Sequence, residues 1–280
     1  KEVRDQVSSV HERQRAESDE DAQVEEISRN GYTVIQDVLT EDELSFLHTG
    51  VIEKIYKQQL EEIGGEEKLK EIADEGSAKH LLSYDKFFLN LAIKEKVLAI
   101  VNRLLGDYYI LYLQNALLVE PKKFNPASSW HRDIAHQHFT SSRPLAVSAL
   151  HIVDDITPQT GETLVLAGSH LFEEFPSAGF VKKNAGKISA RAGSVLVFDS
   201  MMYHRSGHNL SGQIRRTIST IYTSPLFRQQ ICLPTLLDDR YKDDPFLRRF
   251  LGYDCQVKED AYTWRSERIE KGVGTRRSDL

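Results

Sequence analysis

The sequence is short of several things, and each shortage removes a class of protein. Two cysteines, Cys232 and Cys255, stand among 280 residues and make no metal-type pair. A reducing, cytoplasmic setting is the simplest expectation. No apolar run approaches the roughly 18 to 20 residues of a membrane-spanning helix, so no membrane partner is expected. No positively charged start is followed by the apolar core of a secretory signal. Basic residues are in deficit: 36 Lys and Arg against 42 Asp and Glu give a net charge of -6, the wrong sign for a general nucleic-acid binder. Neither an internal repeat nor a low-complexity linker divides the chain.

What remains is a globular composition, 40% apolar and 28% charged. Residues 1–26 are charged and aperiodic, and are expected to form a solvated helix or frayed arm. Residues 27–280 are expected to form a single domain with helical additions at both ends. Asn30-Gly31 ends a short helix and "YTVIQDV" is a strand. Thr40 with Glu43 makes a capping box for a long amphipathic helix. "LNLAIKEKVLAIVNRLLG" is a further helix, and "YYILYLQNALLVEP" is a strand rich in β-branched and aromatic residues. Short strands then follow one another with turn signals between them: "LAVSALHIVDDI", "ETLVLAGSH", "GSVLVFDS" and "RRTISTIYTS". Such a run predicts a sandwich or barrel, mainly β, covered by helices and loops from about Phe227 onward.

Histidine is also scarce, ten in the whole chain, yet "WHRDIAHQHF" at 130–139 holds three of them and an aspartate. If the segment is extended, His131 and Asp133 share one face, and Trp130 and Arg132 point the other way. The two would offer an imidazole nitrogen and a carboxylate oxygen side by side. A third ligand is available from "GSVLVFDSMMYHRSGHN", which contains His204 and His208. Two histidines and a carboxylate on one face of an octahedron suit non-haem Fe(II), which keeps positions open for a cosubstrate and O2. Zinc accepts the same atoms. His136 and His138 fit better as pocket wall or loop hydrogen-bonders than as ligands. Eleven residues after His204 comes Arg215, whose guanidinium fork matches a carboxylate such as the far end of a 2-oxo acid. Alternation alone does not choose it over Arg216.

Taken together, these pieces resemble the phytanoyl-CoA dioxygenase family of Fe(II)/2-oxoglutarate-dependent oxygenases. The resemblance runs from about Gly31 to Pro225. It is carried by "NGYTVIQDVLTEDEL", "WHRD", "DDITPQTGETLVLAGSH", "GSVLVFDSMMYHRSGHN" and "RRTIS" in that order. It implies a double-stranded β-helix, the cupin-like jelly roll. It also implies Fe(II) ligands His131, Asp133 and His204, with His208 outside the set. Arg215 would hold 2-oxoglutarate, with Ser206 and Gln114 beside it. The sequence departs from the family's usual pattern at "AGSH", 167–170, and at Arg205. The carboxylate of Asp133 stands where related halogenases carry a small residue, which favours oxygen transfer. The implied activity is hydroxylation of a small molecule by O2, with release of succinate and CO2. Desaturation, ring closure, epimerisation and a non-catalytic jelly-roll binding protein are the alternatives. Candidate substrate contacts are His80, Tyr84, His136, His138, His151 and Phe198.

Overall fold

The computed structural model of the protein describes residues 16–134, 137–270 and 272. Much of the expected charged arm, residues 1–15, lies outside that range, and so does His136. Helix α1 runs Asp19–Asn30, capped by the Ser18 side chain, with three acidic residues in its first turn. Those charges sit where the unpaired N–H groups of a helix start favour anions. Asp21 also meets Arg103 at 3.1 Å. Thr40 caps α2 (Glu41–Phe46) in the expected reciprocal way, each of Thr40 and Glu43 accepting from the other's backbone N–H.

The long helix expected after that cap is broken. A wide turn at Leu47–Val51 contains Gly50, whose φ of 84° leaves the helical region, and the chain resumes as α3 (Ile52–Ile63). α4 (Glu66–Glu71) follows. The next expected helix is likewise two, α5 (Lys86–Ala92) and α6 (Glu95–Leu105), with Ile93 and Lys94 between them. In α6, Val97, Ile100, Val101 and Leu104 are all buried. Their spacing is that of one helical face turned to a core. Three-residue strands at Ser77–Lys79, Gly186–Ile188 and His204–Ser206 join the longer ones foreseen. α7 (Ala178–Asn184) lies between strands, and α8 (Leu233–Leu236), α9 (Pro245–Phe250) and α10 (Ala261–Glu270) follow the last of them. Among the described residues no helix is long and apolar enough to cross a membrane.

In chain order the strands are β1 (Tyr32–Ile35), β2 (Ser77–Lys79), β3 (Ile110–Val119), β4 (Ala146–Ile152), β5 (Thr163–Val165), β6 (Gly186–Ile188), β7 (Val195–Asp199), β8 (His204–Ser206) and β9 (Arg215–Thr223). They form a six-stranded sheet, β1-β7-β4-β9-β3-β2, and a three-stranded sheet, β6-β5-β8. Every pairing is antiparallel. Alternation divides the large sheet into two working faces. Val147, Ala149, Val195, Val197, Ile218 and Tyr222 point outward into a core shared with α5 and α6. Leu150, Leu196 and Phe198 point inward and pack on Val165 and Ile188 of the small sheet. Two antiparallel sheets face to face with helices buttressing one of them make the expected jelly roll.

His151 belongs to the outward face and is fully buried, with Nδ1 3.2 Å from the Ile218 carbonyl and Nε2 without a partner. The structure therefore places it among the helices rather than at a substrate. Burial pulls its pKa down to about 4. Between that value and the ordinary 6.5 the unfolded chain binds a proton that the folded chain refuses. The contribution to stability is full above pH 6.5 and is lost as pH falls towards 4. Replacing His151 by Leu should narrow the gap between unfolding free energies at pH 7 and pH 5 by about 2 kcal/mol, measured by urea denaturation.

Candidate metal centre and cosubstrate pocket

Two backbone hydrogen bonds build the centre. The His131 N–H donates to the His204 carbonyl at 3.0 Å, and the His204 N–H returns the bond at 3.1 Å. This single bridge brings the two imidazoles to 4.3 Å between ring centroids. The expected strand through 130–133 is reduced to that one bridging residue. Asp133 is placed instead by its own N–H, which donates to the Ser200 carbonyl at 3.0 Å. Its Oδ1 then lies 3.8 Å from His131 Nε2 and 3.5 Å from His204 Nε2. One ligand atom from each residue falls within 4.8 Å of the others.

The imidazoles are oriented for ligation. His131 Nδ1 lies 2.8 Å from the Ser129 carbonyl, and His204 Nδ1 lies 3.0 Å from the Met202 carbonyl. A carbonyl accepts only, so each Nδ1 carries the hydrogen and each Nε2 turns its lone pair towards Asp133. Burial pulls the His204 pKa down and keeps the ring neutral, with Asp133 acting against that shift and His131 with it. On the other side of the carboxylate, Ser148 Oγ donates to Asp133 Oδ2 at 2.5 Å and sits 2.8 Å from Ser200 Oγ. Arg132 points away from the centre, as expected. Its guanidinium donates to the carbonyls of Met201, Ser169, Glu173 and Phe172 and lies 4.0 Å over the Tyr203 ring. It thereby ties the His131–Asp133 segment to the turn before His204.

The two neighbouring arginines of β9 have opposite fates. Arg216 faces outward, donates to both oxygens of Asp154 at 2.7 and 2.9 Å, and reaches Glu53 at 3.3 Å. Arg215 faces inward and is 2% exposed. It donates to Ser206 Oγ at 2.7 Å and to the Gly161 carbonyl, and its Nε is buried without a partner. No carboxylate among the described residues pairs with it within ion-pair distance. Burial pulls its pKa down to about 10. Thr217, two residues on and on the same face, also has a buried, unpartnered hydroxyl. Backbones crowd here: a Cβ on Gly161, φ 95°, would meet the Gly207 carbonyl oxygen at 2.6 Å. Only glycine permits that approach, which delivers the Gly161 carbonyl and Ser206 to Arg215.

A cavity of about 400 Å³ joins these parts, lined by His131, Asp133, His204, Phe198, Ser206 and Arg215 among others. Phe198 packs its ring 4.7 Å from that of His204. Gln114 lies elsewhere: it is buried on the outward face, its amide donating to the Phe88 carbonyl at 2.7 Å. The neighbouring residue Asn115 lines the cavity instead. Tyr84 is partly exposed, its hydroxyl accepting from Gln59, and His138 is exposed. His80 lines a smaller pocket adjoining the cavity. His208 is exposed and stands outside the ligand group. Ser148, Thr217 and Asn115 escaped the sequence reading; for Thr217 the i+2 rule from Arg215 was an available signal.

Two imidazoles with one carboxylate fit a divalent iron with open positions. An unpaired buried guanidinium beside an unpaired hydroxyl fits a carboxylate ligand. The comparisons agree with that class. The family model for phytanoyl-CoA dioxygenase (PhyH) matches residues 27–217. An uncharacterized protein of Mycobacterium tuberculosis is 34% identical over 214 residues, 75% of this chain and 77% of that protein. The crystal structure of EctD from S. alaskensis with bound Fe superposes at a TM-score of 0.61 and 20% identity, over 79% of this chain and 83% of that one. The epimerase SnoN in complex with Fe3+, alpha ketoglutarate and nogalamycin RO gives 0.57 and 19%, over 79% and 89%. The last two are likenesses of fold. This chain belongs to the phytanoyl-CoA dioxygenase family, whose members are non-haem iron, 2-oxoglutarate-dependent enzymes.

The two arginines should separate in a stability measurement. Arg216→Ala leaves Glu53 without its cation and Asp154 with only the His48 ring and the backbone N–H of residue 216, and is expected to cost about 2 kcal/mol in urea unfolding. Arg215→Leu removes a buried charge that has no counter-ion, and the variant should be no less stable than the wild type.

Proposed function

We propose that the protein hydroxylates a small-molecule substrate with O2, using Fe(II) held by His131, Asp133 and His204. The carrying observation is the buried, unpaired Arg215 lining the same cavity as those three residues. Its guanidinium would take the far carboxylate of 2-oxoglutarate, with Ser206 and Thr217 supplying hydroxyls. The bound iron and cosubstrate would supply the oxidation, consuming O2 and releasing succinate and CO2. The chain's own part is positional. Carbonyls orient both imidazoles through Nδ1, Ser148 fixes the carboxylate, and Phe198 walls the side of His204. Residues 27–280 then act as one oxygenase domain, and two free cysteines suit a reducing cytoplasm.

Structural neighbours include an epimerase and a carbocyclase, so product mass is the measurement that fixes the reaction. A product heavier by one oxygen supports hydroxylation. An isomer of equal mass, or a product lighter by two hydrogens, assigns epimerisation, or desaturation or ring closure. Absence of any iron-dependent succinate would leave a binding protein.

His204→Ala should abolish Fe(II) binding while His208→Ala retains it. In anaerobic titrations followed by the metal-to-ligand absorption band, Arg215→Ala should weaken 2-oxoglutarate binding about 100-fold, the worth of a bidentate charged contact. Arg216→Ala should change it far less, and equal effects would reject the choice of Arg215.

A further inference from the structure

We propose that residues 73–80 form the substrate-selecting wall of the cavity and hold an amine-bearing, polyhydroxylated small molecule, Glu75 taking its ammonium and His80 a hydroxyl. This rests on the function proposed above for the same cavity. Three residues in this stretch have left-handed backbones: Ala73 at φ 53°, Gly76 at 74° and His80 at 47°. Two of them are not glycine, and such strain persists where the surrounding structure holds it, often at ligand sites. β2 runs through the middle and pairs with β3, Ser77 opposite Leu117 and Lys79 opposite Asn115. Ala78 therefore points into the core, while Ser77 and Lys79 join Asp74, Glu75, Asn115 and Gln230 on the cavity lining.

Not every charge on this wall has a direct partner. Lys79 is neutralised by Asp74 at 2.6 Å. Arg205, also on the lining, donates to the Ser128 carbonyl at 3.2 Å and lies over the Trp130 ring, with its Nε buried and unpartnered. Glu75 makes no hydrogen bond or ion pair among the described residues, and its Oε2 is buried. A carboxylate in that state calls for a cationic donor.

His80 gives the second, independent signal. It is 3% exposed, and neither ring nitrogen has a partner. It lines a pocket of about 390 Å³ that shares Asp74, Lys79 and Gln230 with the main cavity. Burial pulls its pKa down to about 4, so at neutral pH it presents one donor and one acceptor. A hydroxyl, itself donor and acceptor, satisfies a ring of that kind. Ser77, Asn115 and Gln230 add further neutral hydrogen-bonding groups. An acyl-CoA would need several free cations for its phosphates, and residues 73–80 offer one lysine, already paired with Asp74.

The test compares glucosamine, galactosamine and streptamine with glucose, galactose, inositol and palmitoyl-CoA. Binding to the iron-loaded protein with 2-oxoglutarate is read anaerobically by calorimetry, alongside the metal-to-ligand band. At least one amine should bind at least about tenfold more tightly than its hydroxyl counterpart, the worth of one charge-assisted contact. Glu75→Gln should abolish that preference. His80→Asn, a residue that tolerates the left-handed backbone, should weaken amine and hydroxyl forms by similar factors. Equal binding of every pair, a preference that survives in Glu75→Gln, binding of palmitoyl-CoA alone, or no binding by any probe overturns the proposal. A missing absorption band overturns the iron reading instead, and the calorimetric comparison still judges the wall.

Discussion

The reciprocal backbone pair between His131 and His204 is the constraint on which the site depends. It clips the segment after β3 onto the small sheet by a single residue, and so fixes which side chains meet. A slip of one position there would turn Arg132 towards the centre and His131 away from it. The clip is reinforced from the far side, where Arg132 gathers carbonyls from the turn before His204 and from residues 169–173. Ser148 couples the centre to the large sheet. Three separate pieces of chain are thus held by backbone hydrogen bonds, one serine hydroxyl and one half-buried guanidinium, without using the acceptor atoms that face the centre.

Alternation on β9 assigns two adjacent arginines to opposite tasks. Arg216 satisfies a structural demand, pairing with Asp154 and Glu53 among the helices. Arg215 keeps its charge away from water with only a hydroxyl and a carbonyl for company. A folded protein tolerates such a group because the rest of the core is well packed, and function commonly accounts for violations of this kind.

Much of this was legible in the residues. The strand-rich middle announced itself through β-branched runs between turn residues, and H-x-D followed by a distant histidine and arginine marked the pieces that the fold brings together. Other features were hidden for identifiable reasons. Gln114 was placed by the family resemblance alone; on β3, which carries an irregularity between Leu111 and Leu113, the next residue, Asn115, faces the cavity instead. The face of His151 could not be read from "AVSALHI", because β4 is buried on both sides. Gly50 and the Ile93–Lys94 step broke helices whose apolar spacing runs on across the gap. Strands of three residues, such as β2, carry too little pattern to be seen. The hydrogen bond from Ser148 to Asp133 spans 15 residues and depends on sheet register.

β2 lies at the edge of its sheet, hydrogen-bonded on one side to β3. The residues that meet at the metal centre come from the segment after β3 and from β8 of the small sheet. Mutational drift in 73–80 therefore disturbs one short ladder and leaves the reacting geometry standing. On the assignment proposed above, a lineage built on this scaffold can exchange what it recognises while inheriting its chemistry unchanged, because selection and reaction are written into different strands.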